Sequence, residues 1–262
     1  VEGLPSRVAF EAAMTDGEHL EGALTVEGKT VPVTDRGRGV FTVTPKAGER
    51  IKAVFRTKDG KEISKELPKA ETQGATLCVE ERSGKWTIGI QASEGLSTDN
   101  MAMTLMHEGR MIHFAPLDGK AKAEISLDSD TLKAGVHQAT LYDADGRVWA
   151  DRLFFVKKKD IERPTMTFNG AKEQYKPYEQ ITLGVQGIQG NTRISVAVRD
   201  AVRGSRNDDT GNILTEMLLA SEIKGFVPQP EWYFEADDER HNRALDLLMM
   251  VQGWRRFDWK EM

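Results

Sequence analysis

At 262 residues the chain is too long for one β-sandwich of about 100 residues and suits two or three, each with its own small core. Hydrophobic residues at 39% and charged residues at 29% belong to a packed globular protein and exclude wholesale disorder. A formal net charge of -5 argues against a general phosphate-binding surface, so nucleic acid is not an expected partner.

The longest apolar run, residues 247–251, falls far short of the roughly 18 to 20 residues of a membrane-spanning helix, so this stretch of chain is not expected to span a membrane. The single cysteine, Cys78, sits in an alternating stretch and reads as a buried, inert thiol. Alone, it excludes an internal disulfide and a multi-cysteine metal site. The first residue is Val1 and no signal-peptide pattern follows it, which reads as a piece of a longer precursor.

From the start to about residue 70, short alternating runs are separated by turn residues. Val8, Phe10 and Ala12 share a face opposite Arg7 and Glu11, and Ile51, Ala53 and Phe55 oppose Lys52 and Arg56. Asp16-Gly17, Glu27-Gly28 and Asp59-Gly60 fall between such runs, where glycine supplies the positive φ of a tight hairpin. Residues 67–71 read as a linker. A second unit, 72–158, repeats the pattern. Trp86, Ile88 and Ile90 alternate with Thr87 and Gln91, and Ala121, Ala123, Ile125 and Leu127 alternate with Lys122, Glu124 and Ser126. Glu108-Gly109 and Asp145-Gly146 are its hairpin turns. Lys157-Lys158-Lys159 reads as a solvated linker in preference to a nucleic-acid patch.

The third unit, 163–262, changes character midway. Ile181, Leu183 and Val185, then Ile194, Val196 and Val198, predict two strands. Ile213, Leu214, Met217 and Leu218 then recur at helical spacing up to Gly225, a helix stop, and Asp237 or Asp238 caps a second helix that Gly253 ends. Between Ala244 and Val251 only Asp246 is polar. Such a helix is either sandwiched between two layers or covered by something beyond Met262. The expected fold class is therefore mainly β: tandem immunoglobulin-like sandwiches over 1–70 and 72–158, then a partial sandwich over 163–262 with a C-terminal two-helix segment.

No catalytic, cofactor or metal constellation stands out. His107 and His113 flank a hairpin turn and should not converge on a metal, and His19, His137 and His241 are scattered. There is no Gly-x-Ser-x-Gly elbow and no phosphate-binding loop, while the glycines at 184, 187 and 190 read as a turn between strands. Asp237-Asp238-Glu239 suits a helix start, although an acid pair for glycoside hydrolysis is a spatial arrangement that sequence does not exclude. The aromatic clusters remain. Trp232 and Tyr233, with Trp254, Arg255, Arg256 and Trp259, form either an interaction surface for sugar or protein or, as the preferred reading, packing of the helices against the third unit.

The stretch from Gly135-Val136-His137 to Arg152-Leu153-Phe154-Phe155-Val156 resembles the closing hairpin of macroglobulin-like domains in large exported proteins of Gram-negative bacteria. The opening, from Val1-Glu2-Gly3-Leu4-Pro5 to Phe10, looks like the start of another such domain. The segment from Leu245 to Trp259, most specifically Gln252-Gly253-Trp254-Arg255-Arg256-Phe257, resembles a signature near TonB-dependent plug-like regions. The resemblance implies a periplasmic or outer-membrane-associated multidomain protein. Its implied role is that of a non-catalytic structural or interaction module whose partners are other domains of its parent, an envelope protein or a glycan. The alternative is a glycan- or peptide-binding module assisting TonB-dependent uptake. Macroglobulins that trap proteases use a Cys-Gly-Glu-Gln thioester, whereas Cys78 is followed by Val79-Glu80-Glu81, so covalent trapping by this segment is not expected.

Overall fold

The computed structural model describes residues 1–15, 17–158, 167–170, 172, 174–187, 190, 193–194 and 211–253. Contacts divide the chain into two compact units, Val1–Lys157 with Asn207–Met262, and Lys158–Arg206.

The larger unit begins with a sandwich of two sheets. Strand β1 (Ser6–Glu11) pairs antiparallel with β4 (Arg38–Val43), and the facing sheet runs β3 (Lys29–Pro32), β2 (Gly22–Val26), β5 (Lys52–Thr57), β6 (Glu62–Glu66). Alternation does what the sequence predicts. Leu24, Val26, Phe41, Val43, Ile51, Ala53 and Phe55 are buried between the sheets, with Val8, Phe10 and Ala12 packed against them. Glu27 and Gly28 both take positive φ, 49° and 77°, the mirror-image turn that matches strand twist. Leu67 of the expected linker also packs on this core.

The second sandwich holds the larger core. A three-stranded sheet, β11 (Lys122–Asp128), β8 (Lys85–Ala92), β7 (Ala75–Arg82), faces a four-stranded one, β10 (Arg110–Pro116), β9 (Met101–His107), β12 (Gly135–Asp143), β13 (Val148–Val156). Seven antiparallel strands split three and four are the layout of an immunoglobulin-like sandwich. Ile88, Met103, Leu105, Ala139, Leu141 and Phe154 are wholly buried between the sheets. The Glu108-Gly109 turn forms as expected, with φ of 48° and 72°. Ser83-Gly84, whose φ values of 51° and 75° close β7 onto β8, is a hairpin of the same kind that the sequence reading did not single out. Cys78 departs from expectation. It points to the outer side of the three-stranded sheet and is half-buried, 3.8 Å from the Glu80 carboxylate, because Leu77 and Val79 take the inward positions of β7.

The histidines also depart from expectation. His137 and His107 sit directly opposite on β12 and β9, and their rings stack at 4.3 Å with 12° between planes. His137 stacks in turn on Phe154, and Phe154 meets Trp86. Cross-strand register, which spacing along the chain does not report, builds this ladder through one end of the core.

The C-terminal segment starts with a single helical turn, α1 (Ile213–Thr215), capped by Asn212, whose side chain accepts from the amides of Leu214 and Thr215. A π-helical stretch, Glu216–Ala220, follows and ends well before Gly225, so the expected α-helix up to that glycine is replaced by a shorter, wider coil. A 3₁₀ turn, Pro230–Phe234, leads to helix α2 (Glu239–Val251). Asp238 caps α2 by accepting from His241 N, 2.9 Å, while Asp237 accepts from Asn242. Lys157 is half-buried and donates to Ala236 O, so this lysine ties the segment to the second sandwich and is not a solvated linker residue.

In the smaller unit β14 (Thr167–Asn169) pairs antiparallel with β15 (Gly184–Gln186). The strand expected through Ile181, Leu183 and Val185 contracts to β15, because the described partner strand reaches only these three residues, and all three apolar side chains stay exposed. Gly187 and Gly190 have positive φ, as a turn requires. Val196 and Val198 lie outside the described residues.

Burial in the ladder, and secondarily the neighbouring His107, lowers the His137 pKa from 6.5 to about 4. Between these values the unfolded chain binds a proton that the native state refuses, so stability rises with pH across that window and is lost as pH falls from 6.5 to 4. The expected loss is ~3 kcal/mol. Urea unfolding at pH 7 and pH 4 should show it, and His137→Phe should flatten the difference by about that amount; an unchanged difference would exclude His137 as its source.

Candidate functional site

Helix α2 packs on β13 on one side and on β1 and β4 on another, so it is sandwiched between two layers. Ala244, Leu245, Leu248 and Met249 bury against Val136, Leu153 and Phe155 from the outer side of the four-stranded sheet, and Leu219, Ile223, Val227 and Tyr233 complete that cluster. The one polar residue of the apolar stretch, Asp246, accepts from Arg152 Nη2 of the second sandwich at 2.5 Å and pairs with Arg7 Nη2 of the first at 3.6 Å. Burial pushes the Arg152 guanidinium below its ordinary value and Asp246 opposes this.

The aromatic candidates fall into this junction. Tyr233 is fully buried, and its hydroxyl accepts from Arg38 Nη1 at 2.7 Å, while Arg38 Nε donates to Glu11 at 2.9 Å. Trp232 is half-buried beneath Arg36, 4.6 Å from the ring, with Arg240 at 5.4 Å and the His241 ring at 4.5 Å. Arg36 donates to Pro228 O and to Gln229 Oε1, both at 3.2 Å, and Arg240 closes the ring of contacts on Asp35. Arg36 and Gln229 both carry left-handed backbone, φ 61° and 47°, a strain that their mutual contact holds in place. Trp254, Arg255, Arg256 and Trp259 lie outside the described residues.

A second, open surface lies on the same sheet. Register places Met111 opposite Met106 and Phe114 opposite Thr104 on the side away from the core, with Gln138, Thr140 and Tyr142 beside them on β12. The helical segment covers only the Val136, Leu153 and Phe155 end of this face. On the remainder, Met111 is 58% and Phe114 52% exposed on one edge strand, β10, and Val148 39% exposed on the other, β13, so apolar side chains face solvent at both edges of the face. A cavity of about 350 Å³ indents it, lined by Met106, His107, Gln138, Thr140, Tyr142 and Val148, with Glu108 and Glu222 also on its walls. The Gln138 amide and the Thr140 hydroxyl both donate to Asp151, at 3.0 and 3.2 Å. The signal missed in the sequence was that Phe114 and Met111 occupy the outward positions of β10.

Two larger indentations, about 630 and 420 Å³, share Arg7, Leu77 and Cys78 and follow the seam between the sandwiches. Their charged lining is mixed, with Arg7, Lys122 and Glu124 in one and Arg7, Asp151 and Arg152 in the other.

The stacked imidazoles do not form a metal centre. Each Nδ1 lies against a carbonyl, Val136 O at 2.9 Å for His107 and Gly135 O at 3.1 Å for His137. The Nε2 lone pairs lie in nearly parallel planes and cannot converge on one ion. Among the described residues no group of three or more histidine, cysteine, aspartate or glutamate side chains is placed to hold a metal. No described helix is long and apolar enough to cross a membrane.

Fold and junction together define an immunoglobulin-like β-sandwich protein with two C-terminal helices. No known family's model matches the sequence, and no curated protein matches it. Among solved structures the chain is similar to a DUF3823 family protein from Bacteroides ovatus, at TM-score 0.24 and 11% identity, over 59% of this chain and 100% of that one. It is also similar to the fibronectin(III)-like modules of Clostridium thermocellum CbhA, at TM-score 0.23 and 14% identity, over 62% and 90%. A third, the chicken interferon gamma receptor alpha chain, has TM-score 0.24 and 9% identity, over 58% and 97%. At these scores none of them assigns a family or a function.

Tyr233→Phe strips the buried Arg38 guanidinium of one acceptor and should cost ~1–3 kcal/mol. Asp246→Asn leaves Arg152 buried without its counter-charge and should cost ~2 kcal/mol or more. Chemical denaturation of both variants measures this; losses within ~0.5 kcal/mol, the range of an ordinary surface substitution, would mean these contacts do not anchor the junction.

Proposed function

We propose that this chain is a non-catalytic structural and interaction module of a larger exported envelope protein of macroglobulin-like type, in which the helical segment locks two consecutive sandwiches into one body. The observation that carries the reading is Asp246, a single carboxylate on a helix wedged between two sandwiches, hydrogen-bonded to an arginine of one and ion-paired with an arginine of the other. A flexible string of domains has little use for buried charge at its joints, since desolvating an ion pair costs as much as it returns unless geometry is fixed. Residues 135–156, whose sequence resembles a macroglobulin closing hairpin, form the β12–β13 hairpin, which supports that part of the reading. Periplasmic or outer-membrane location and proximity to a TonB-dependent plug belong to the same proposal and rest on the sequence resemblance.

A second role, binding of a peptide or glycan, is favoured by one observation, the open apolar half of the four-stranded sheet.

Native-state hydrogen exchange tests the locking. The cores of both sandwiches should open together in the parent, with similar protection at Val26 and Phe55 in one and Leu105 and Leu141 in the other. Combining Tyr233→Phe with Asp246→Asn should separate them, the first sandwich opening at lower free energy. Independent opening in the unaltered protein would refute a locked body.

A further inference from the structure

The geometry points to the uncovered half of the four-stranded sheet in the second sandwich as a docking site for a peptide segment that presents a lysine or arginine side chain between apolar residues. This inference rests on the reading of the chain as an interaction module and names the chemistry of its partner.

The first argument is continuity with an interface already closed. Val136 and Leu153 belong to the buried cluster under the helical segment and also line the 350 Å³ cavity, so one surface runs without a break from covered to open. Beyond them the exposed Val148, Met111 and Phe114 extend the same apolar character. A peptide laid on this half meets what the helices meet on the other.

The second argument is charge. The cavity walls carry two carboxylates, Glu108 and Glu222, and no lysine or arginine. The donors of Gln138 and Thr140 are already spent on Asp151, which leaves the Gln138 carbonyl as an acceptor. His107 adds nothing to this balance. Its backbone lies on the cavity wall beside Glu108, while its ring is turned into the core stack with His137 and its Nε2 is buried, so the polar atoms a ligand meets here are those of Glu108, Glu222 and Gln138. The wall thus offers acceptors and negative charge, and the ligand must bring donors and positive charge. A lysine or arginine does so while its methylene stem lies along Met106, Val148 and Leu153. Neutral saccharide fits less well, since apart from the His107 ring, which is stacked in the core, Tyr142 is the one aromatic ring among the lining residues.

Three probes separate the outcomes on the full chain: a fluorescent peptide of alternating leucine and lysine, its counterpart with glutamate for lysine, and a β-glucan oligosaccharide. Anisotropy should show saturable binding of the lysine peptide alone, and amide shifts in ¹⁵N spectra should centre on Met106, Gln138, Thr140, Tyr142 and Val148. Glu108→Gln with Glu222→Gln, both at accessible carboxylates, should weaken binding about tenfold, and added salt should weaken it further. Arg36→Ala, at the other junction, should leave affinity unchanged. No saturable binding, equal binding of the glutamate peptide, shifts centred elsewhere, or an unaltered affinity in the double variant would overturn the proposal. Oligosaccharide shifting these residues in place of the peptide would overturn it in favour of a carbohydrate face. Uncoupled opening of the sandwiches would refute the locked body alone, because this face lies within the second sandwich and the helical segment.

Discussion

A helical stretch with almost no polar side has to be covered nearly all round, and this constraint on the C-terminal part of α2 organises the larger unit, while Glu239, Arg240, Asn242 and Arg243 at its start stay exposed. Its apolar stretch from Ala244 to Val251 can be satisfied by no single sheet, so a layer from each sandwich is drawn against it. Asp246 is the exception that fixes the geometry. A carboxylate in that position must be neutralised, and the partners come from opposite sides, Arg152 at 2.5 Å and Arg7 at 3.6 Å. Sliding either sandwich past the helix would strand a charge, whereas sliding a purely apolar contact would cost only area. Specific register thus comes from the ion pairs and cohesion from the apolar burial.

The same logic explains the second contact of the first sandwich with the helical segment. Arg38 is 2% exposed and could not remain so charged without acceptors; Glu11 of its own sandwich and Tyr233 of the segment provide them. Around this pair, Trp232 lies among Arg36, Arg240 and His241, and the two left-handed residues, Arg36 and Gln229, are held by the bonds between them. Strain of order 1–3 kcal/mol per residue persists only where surrounding contacts overdetermine it.

Alternation made the strands of both sandwiches legible, since Val8 and Phe10 or Ile88 and Ile90 declare their inner face by period two alone. For α2 the sequence left two alternatives, a helix between two layers or one covered by something beyond Met262, because an apolar stretch says that it must be covered and not by what. What stayed hidden depended on partners distant in sequence. His107 and His137 are 30 positions apart and meet only because β9 and β12 are neighbours in register, and Arg38 and Tyr233 are 195 apart. The aromatic residues drew attention as an interaction surface by their composition, yet composition does not tell a stacking platform from a core; Tyr233 turned out to be an anchor inside the junction. Conversely, Phe114 and Met111 read as ordinary strand residues until the register put them on the outer side.

Half-coverage of the four-stranded sheet follows from the length and placement of the helical segment. The segment passes close to Gly135, whose φ of +118° no bulky residue would adopt easily, and where an added Cβ would lie 3.5 Å from Leu218 O and 3.2 Å from the His107 ring. From there the chain runs through Ser221 and Glu222 to Ile223 and Val227, which stay in the buried cluster on the sheet, while Glu222 lines the open cavity, so Glu222 sits at the boundary between the covered zone and the open one.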